Sequence, residues 1–257
     1  MSAAGPTPTH SLSLHRRLSR LRHRAAAWAW FRLKSRIGGL PWLFYPLHLA
    51  MTGPKWRTLE VRADSALVIE GAMRCATSYA AAAVYVSQPG KIHVAHHLHV
   101  PAQIMRAAKL GVPALVLTRE PEAAVRSLLL YDPHLDAAGA LAAYRSFYAG
   151  CLPYAGDFVV ATFAEATGDM AGVLAQINAR FGTAFAPYRA SPEEAARVEA
   201  VLERNNRTRS GGNPFTSYLP NPVKEAAKRR IDLSDHAREL EACQALYARY
   251  RELAVRP

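Results

Sequence analysis

The first quarter of this 257-residue chain lacks acid. Residues 1–59 hold no Asp or Glu, against ten Lys or Arg (Arg16, Arg17, Arg20, Arg22, Arg24, Arg32, Lys34, Arg36, Lys55 and Arg57). The formal net charge is +12, so only +2 is left for residues 60–257. A nucleic-acid-binding domain carries its positive charge on the body that meets the phosphates. Here the body is nearly neutral, which argues against that class. Cysteine is scarce: Cys75, Cys151 and Cys243 are odd in number and far apart, with no CxxC zinc pair. Free thiols in a reducing, cytoplasmic compartment are expected. Long apolar runs are missing as well. The most apolar stretch, Gly38 to Met51, is broken by Pro41 and Pro46 and is too short to span a bilayer. The Arg-rich start is not followed by the apolar run and small-residue site of a secretory signal.

That acid-free segment is rich in something else, since all four tryptophans (Trp28, Trp30, Trp42, Trp56) lie in it. Residues 1–10 read as a disordered tail. From Ser11 the pattern turns helical: Leu14, Leu18, Leu21, Ala25 and Trp28 recur at helical spacing and share a face, with Arg16 to Arg24 off it. Two readings stand. Residues 11–58 form a basic amphipathic element lying in an anionic membrane interface, which makes the protein peripheral to a membrane. Alternatively they pack on the domain and the arginines are a solvated face.

The body, residues 59–257, alternates short apolar runs with helical periodicity. Strands are predicted at Ala66–Ile69, Ile92–His96, Pro113–Thr118 and Phe158–Thr162. Helices are predicted at Thr77–Val86, Pro101–Leu110, Glu120–Tyr131, Asp136–Leu152, Gly168–Phe181, Pro192–Arg204 and about Ser234–Ala254, with a loop over Asn205–Asn221. Such alternation predicts an α/β fold, a mostly parallel sheet flanked by helices, with residues 1–58 as an N-terminal extension.

One segment carries chemistry. Leu67-Val-Ile-Glu-Gly-Ala-Met-Arg-Cys-Ala-Thr-Ser-Tyr79 reads as strand, loop of small residues, then helix. This layout aims backbone N–H groups and a helix N-terminus at one point, where a phosphate or sulfate fits. Arg74 adds a charge, and Thr77 and Ser78 add hydroxyls. Against the nucleotide loop GxxxxGK[ST], Gly71 and Ser78 match, Ala76 takes the second glycine position and Thr77 stands in place of the lysine. The missing lysine counts against ATP or GTP hydrolysis. An ordinary strand–helix turn with a capping hydroxyl is the other reading of this segment alone.

A second segment follows the third strand: Arg119, Pro121 and Ser127, with the Arg and Ser eight residues apart and able to grip a second phosphate. Together the two segments resemble the sulfotransferase family that uses PAPS (3′-phosphoadenosine 5′-phosphosulfate). The family's first loop, [KR]SGTT, is matched by Arg74, Cys75, Ala76, Thr77 and Ser78, with Tyr79 following. Its R-x-P-x(5)-S motif is met by Arg119, Pro121 and Ser127. Its T-H-L-P run, which holds the catalytic base, corresponds to His96-His97-Leu98-His99-Val100-Pro101, with His97 in the register of the base. Arg209-Ser210-Gly211 is similar to the late R-K-G motif.

The resemblance spans Leu59 to Thr216 and implies a phosphate-loop fold and PAPS as co-substrate. It implies Arg74 and the N–H groups of Ala76 to Tyr79 on the leaving 5′-phosphate. Arg119, Ser127 and Arg209 would hold the 3′-phosphate. His97 would be the general base toward a hydroxyl or amine of a saccharide, lipid-linked or other small acceptor, with no metal. The chain departs from the family at Cys75, Ala76 and Ala95, which replace Ser, Gly and a helpful Lys. An ATP-dependent kinase of the same fold, and a non-catalytic membrane-surface protein on a decayed sulfotransferase fold, are the alternatives.

Other clusters read more plainly. His93, His96, His97 and His99 could be taken for metal ligands, but no Asp, Glu or Cys stands beside them. Glu165 is expected to brace a neighbouring loop, and Cys75 to fill a tight turn. Lys224, Lys228, Arg229 and Arg230 are expected to form a solvated helix face.

Overall fold

The computed structural model describes residues 26–254. The predicted tail at 1–10 and all but the end of the Leu14–Trp28 stripe lie outside them. Four strands form one parallel sheet: β1 (Leu67–Gly71), β2 (Val94–His96), β3 (Ala114–Thr118) and β4 (Val159–Thr162), in the order β2-β1-β3-β4. Each lies within or one or two residues from its expected run. Parallel strands are covered on both faces, so their apolar residues run on without alternation, and β1 and β3 are buried at every position.

Two helical groups flank the sheet. One comprises α3 (Thr77–Ser87), α7 (Phe163–Gly168), α8 (Met170–Phe181) and α9 (Pro192–Ser210). The other comprises α4 (Pro101–Leu110), α5 (Pro121–Tyr131), α6 (Ala137–Cys151) and α11 (Ala237–Ala254), with the short α10 (Pro222–Arg229) against α5. Gly71 ends β1 where a Cβ would stand 2.6 Å from the Leu117 carbonyl oxygen, so the sheet itself requires glycine there.

The N-terminal segment packs on this body. Residues 26–37 (α1) are helical, as is α2 (Pro41–Thr52), where the sequence pattern shows only a broken apolar stretch. Pro41 sits in the first turn, where its missing N–H costs nothing, and Pro46 lies on the exposed side, where water can replace the lost bond. Phe44 of α2 is fully buried with Ile37, Leu98, Val100 and Ala102 in a satellite core. Gly38 between the helices accepts from Ala102 N–H at 2.7 Å, and a Cβ on it would meet Val100 Cγ1 at 2.9 Å. No helix among the described residues is long and apolar enough to cross a membrane.

Candidate active site

The chain runs from β1 through α3 to β2 on one side of it, and from β2 through α4 to β3 on the other. Such a reversal leaves a crevice at the carboxyl ends of the strands. A cavity of about 440 Å³ lies there. Nine of the twelve residues predicted for the site line it: Arg74, Ala76, Thr77, Ser78, Tyr79, His97, Arg119, Ser127 and Arg209. They come from four separate stretches of chain.

The loop after β1 is shaped by two left-handed residues, Arg74 (φ 70°) and Ala76 (φ 72°). Alternating left- and right-handed residues turn successive N–H groups toward one centre. Ala76 is also the residue before α3, and no side chain caps that helix. Thr77 Oγ1 is buried at the cavity wall with no hydrogen-bond partner. An orphaned buried hydroxyl costs about 1–3 kcal/mol, and a bound anion would supply its missing partner. Arg74 links the first two motifs: its Nε donates to Ser127 Oγ at 3.2 Å and a terminal nitrogen donates to Ser217 O at 3.2 Å. Its guanidinium lies 4.7 Å from the Tyr131 ring centre and 5.6 Å from that of Tyr218. Arg119 donates to the Arg74 carbonyl at 3.0 Å and lies over Phe163 at 4.1 Å.

The loop after β2 carries the histidines. His97 (φ 67°) and His99 (φ 53°) are both left-handed, a conformation costing about 1–2 kcal/mol per residue. Glu70, wholly buried in β1, holds them. Its carboxylate accepts from Leu98 N–H and His99 N–H, both at 2.8 Å. Burial raises the Glu70 carboxyl to about 7, opposed by these N–H groups. His99 Nδ1 bonds Gly71 O at 2.8 Å. His97 Nε2 lies 2.7 Å from Ser78 Oγ, and its Nδ1 bonds His96 Nδ1. Burial first, then the neighbouring imidazoles and Arg209, hold His97 well below the usual histidine value. Burial likewise lowers His96 to about 4 and His99 to about 3. All three rings are therefore neutral at pH 7. His93 turns away, to Ser65 Oγ (2.9 Å) and Thr58 O (2.8 Å), and no three His, Cys, Asp or Glu among the described residues could hold a metal ion.

Three sequence-predicted site residues lie off the cavity wall. Cys75 is fully buried, its Sγ 3.4 Å from Tyr148 Oη, and burial pushes the thiol up to about 11. Ser210 bonds Asn206 and Thr216 within its own turn. Gly211 (φ 65°) closes α9, donating to Arg207 O at 2.9 Å. The expected loop thus begins six residues late: Asn205 to Ser210 are helical, because a left-handed glycine can end a helix that polar composition alone would end earlier.

The lysines are the larger correction. Lys224 and Lys228 are buried and line the cavity. Lys224 Nζ donates to Ser217 O (3.0 Å) and Leu219 O (2.6 Å), and burial lowers it to about 8. Lys228 pairs with Glu225 at 2.6 Å. Their i, i+4 spacing already placed them on one face, but nothing local marked that face as the inner one. Glu165 caps its own helix, accepting from Thr162 N–H and Oγ1, rather than bracing another loop. No protein-family model matches the chain, and no curated protein matches it.

Proposed function

We propose that the chain is a PAPS-dependent sulfotransferase of the phosphate-loop type. The observation that carries this reading is the convergence on one cavity of Arg74 hydrogen-bonded to Ser127, Arg119 beside them, and a neutral, geometrically constrained His97. The residues suit a ligand with two anionic groups. The uncapped α3, the left-handed Arg74 and Ala76 and the unpartnered Thr77 hydroxyl form one cradle. Arg119, Ser127 and Arg209 form the other, with Lys224 and Lys228 adding charge to the same cavity.

PAPS supplies an activated sulfuryl group, and the chain's own residues do the rest. N–H groups at the start of α3 and the Arg74 guanidinium neutralise charge building on the leaving phosphate oxygen, usually the largest single contribution to catalysis of such transfers. With Ser78 O–H donating to His97 Nε2, His97 Nδ1–H donates to His96. Nε2 is then the basic nitrogen, ready to take a proton from an acceptor hydroxyl or amine. Calorimetric titration tests the reading. Adenosine 3′,5′-bisphosphate should bind more tightly than AMP or ATP. Arg119→Ala should erase that preference over AMP, a loss of about 1.5–3 kcal/mol for a charge-assisted hydrogen bond. Tighter binding of ATP would favour the kinase, and no nucleotide binding would favour the non-catalytic protein.

A further inference from the structure

Among the described residues, nine large apolar side chains are exposed, and six of them lie between Trp28 and Met51. The segment that packs on the body therefore shows its other side to solvent. On α2, Phe44 and His48 point inward, whereas Trp42, Pro46, Leu49 and Ala50, at i, i+4, i+7 and i+8, share the exposed face. Trp42 is 73% exposed and Leu49 36%, with Leu40 at 42% just before the helix. A helix solvated on one side carries charge there, but α2 (PWLFYPLHLAMT) contains no Asp, Glu, Lys or Arg. The charges stand at its flanks instead. Arg36 precedes it and Arg57 follows it, both exposed, and residues 1–59 contain no acid.

We infer that the outer face of α2 is a docking surface for an anionic lipid bilayer. Trp42 and Leu49 enter the headgroup–acyl boundary, and Arg36 and Arg57 meet the headgroups. An interfacial helix needs an apolar face with cations beside it and no acid to be repelled. The face is distinct from the Leu14–Trp28 stripe, and the inference does not rest on the sulfotransferase reading.

Cosedimentation of the full chain with phosphatidylcholine vesicles, with and without phosphatidylserine, tests it. At low salt the chain should sediment with the anionic vesicles and be released as salt screens the attraction. Trp42→Ser/Leu49→Ser should lower partitioning about tenfold or more, since burying one such side chain contributes over a factor of ten. Its melting temperature should stay at the parent's, because these side chains lie outside the core. Arg36→Gln and Arg57→Gln should each lower binding about fivefold on anionic vesicles alone. Absence of vesicle binding at low salt overturns the inference and points to residues 1–25 as the cover of this face. A serine variant that sediments like the parent also overturns it. So does a parent dimer that the serine variant converts to monomer, which would make the face a self-interface.

Discussion

The two loops that leave β1 and β2 are built alike and finished differently. Each follows a strand of the same parallel pair and contains two left-handed non-glycine residues two apart, Arg74 and Ala76 in one, His97 and His99 in the other. In the first, polar groups are left over: Thr77 Oγ1 has no partner and α3 has no side-chain cap. In the second, they are tied down: Glu70 takes two N–H groups, Gly71 O takes His99, and both nitrogens of His97 have partners. Unmet hydrogen bonding makes a site that waits for a ligand. Fully met hydrogen bonding makes a group that is held for one.

That contrast is easiest to break at His97. His97→Ala should lower sulfuryl transfer from PAPS by about 10²–10⁴-fold while leaving adenosine 3′,5′-bisphosphate affinity at the parent value. His96→Ala and His99→Ala should lower the rate less. Equal loss of rate and affinity would mean that the two loops do not divide the work. The rate is measured with radiolabelled sulfuryl donor across a panel of hydroxyl and amine acceptors.

Glu70→Gln comes next. The amide keeps one acceptor oxygen but presents a donor to the second N–H, leaving it unmet. Thermal or urea unfolding should show a loss of about 1–3 kcal/mol, and turnover should fall while nucleotide affinity holds. Unchanged turnover would show that the left-handed histidines need no such tether.

Acidity acts on the second loop and on its tether with opposite signs. His96, His97 and His99 have folded-state pKa values below that of a free histidine, near 6.5. Their contribution to stability is complete above pH ~6.5 and is lost as pH falls toward the folded values. The urea midpoint should therefore fall as pH drops below ~6.5, and His99→Asn should make that fall shallower. Glu70 has the opposite sign. Its carboxyl is raised from 4.5 to about 7, so its contribution is full at low pH and lost as pH rises through 7. Glu70→Gln should flatten that decline.

Ala76→Gly gives the smallest effect and the sharpest test of the open loop. Glycine removes the cost of a left-handed alanine, about 1–2 kcal/mol. It adds unfolded-state freedom costing about 0.4–1 kcal/mol. A net gain below about 1 kcal/mol is expected in urea titration, with unchanged or tighter nucleotide binding.

Sequence revealed what is local and missed what is assembled from distant pieces. The four strands were legible because buried parallel strands read as plain apolar runs. The cavity residues were legible because Arg74 to Tyr79, and Arg119 with Ser127, bring arginine and hydroxyl residues close together in sequence. In the sequence Glu70 is only the first residue after the predicted strand, at the head of the expected phosphate loop, since its partners at Leu98 and His99 lie 28 and 29 residues on. Lys224 and Lys228 resembled any solvated basic face until the packing of α10 turned them inward. Helix α2 was hidden by Pro46, which a helix tolerates only on a side open to water, and no one-dimensional pattern says which side that is.

The burial of Cys75 gives the protein a built-in clock. Its thiol is sealed beneath the first loop with its ionisation suppressed, and Cys151 and Cys243 are buried and held up in the same way. A thiolate-selective reagent can reach Cys75 only when the structure around it opens. The labelling rate at this one position, read by mass spectrometry, counts openings, and a nucleotide bound as proposed should slow the count in proportion to its occupancy.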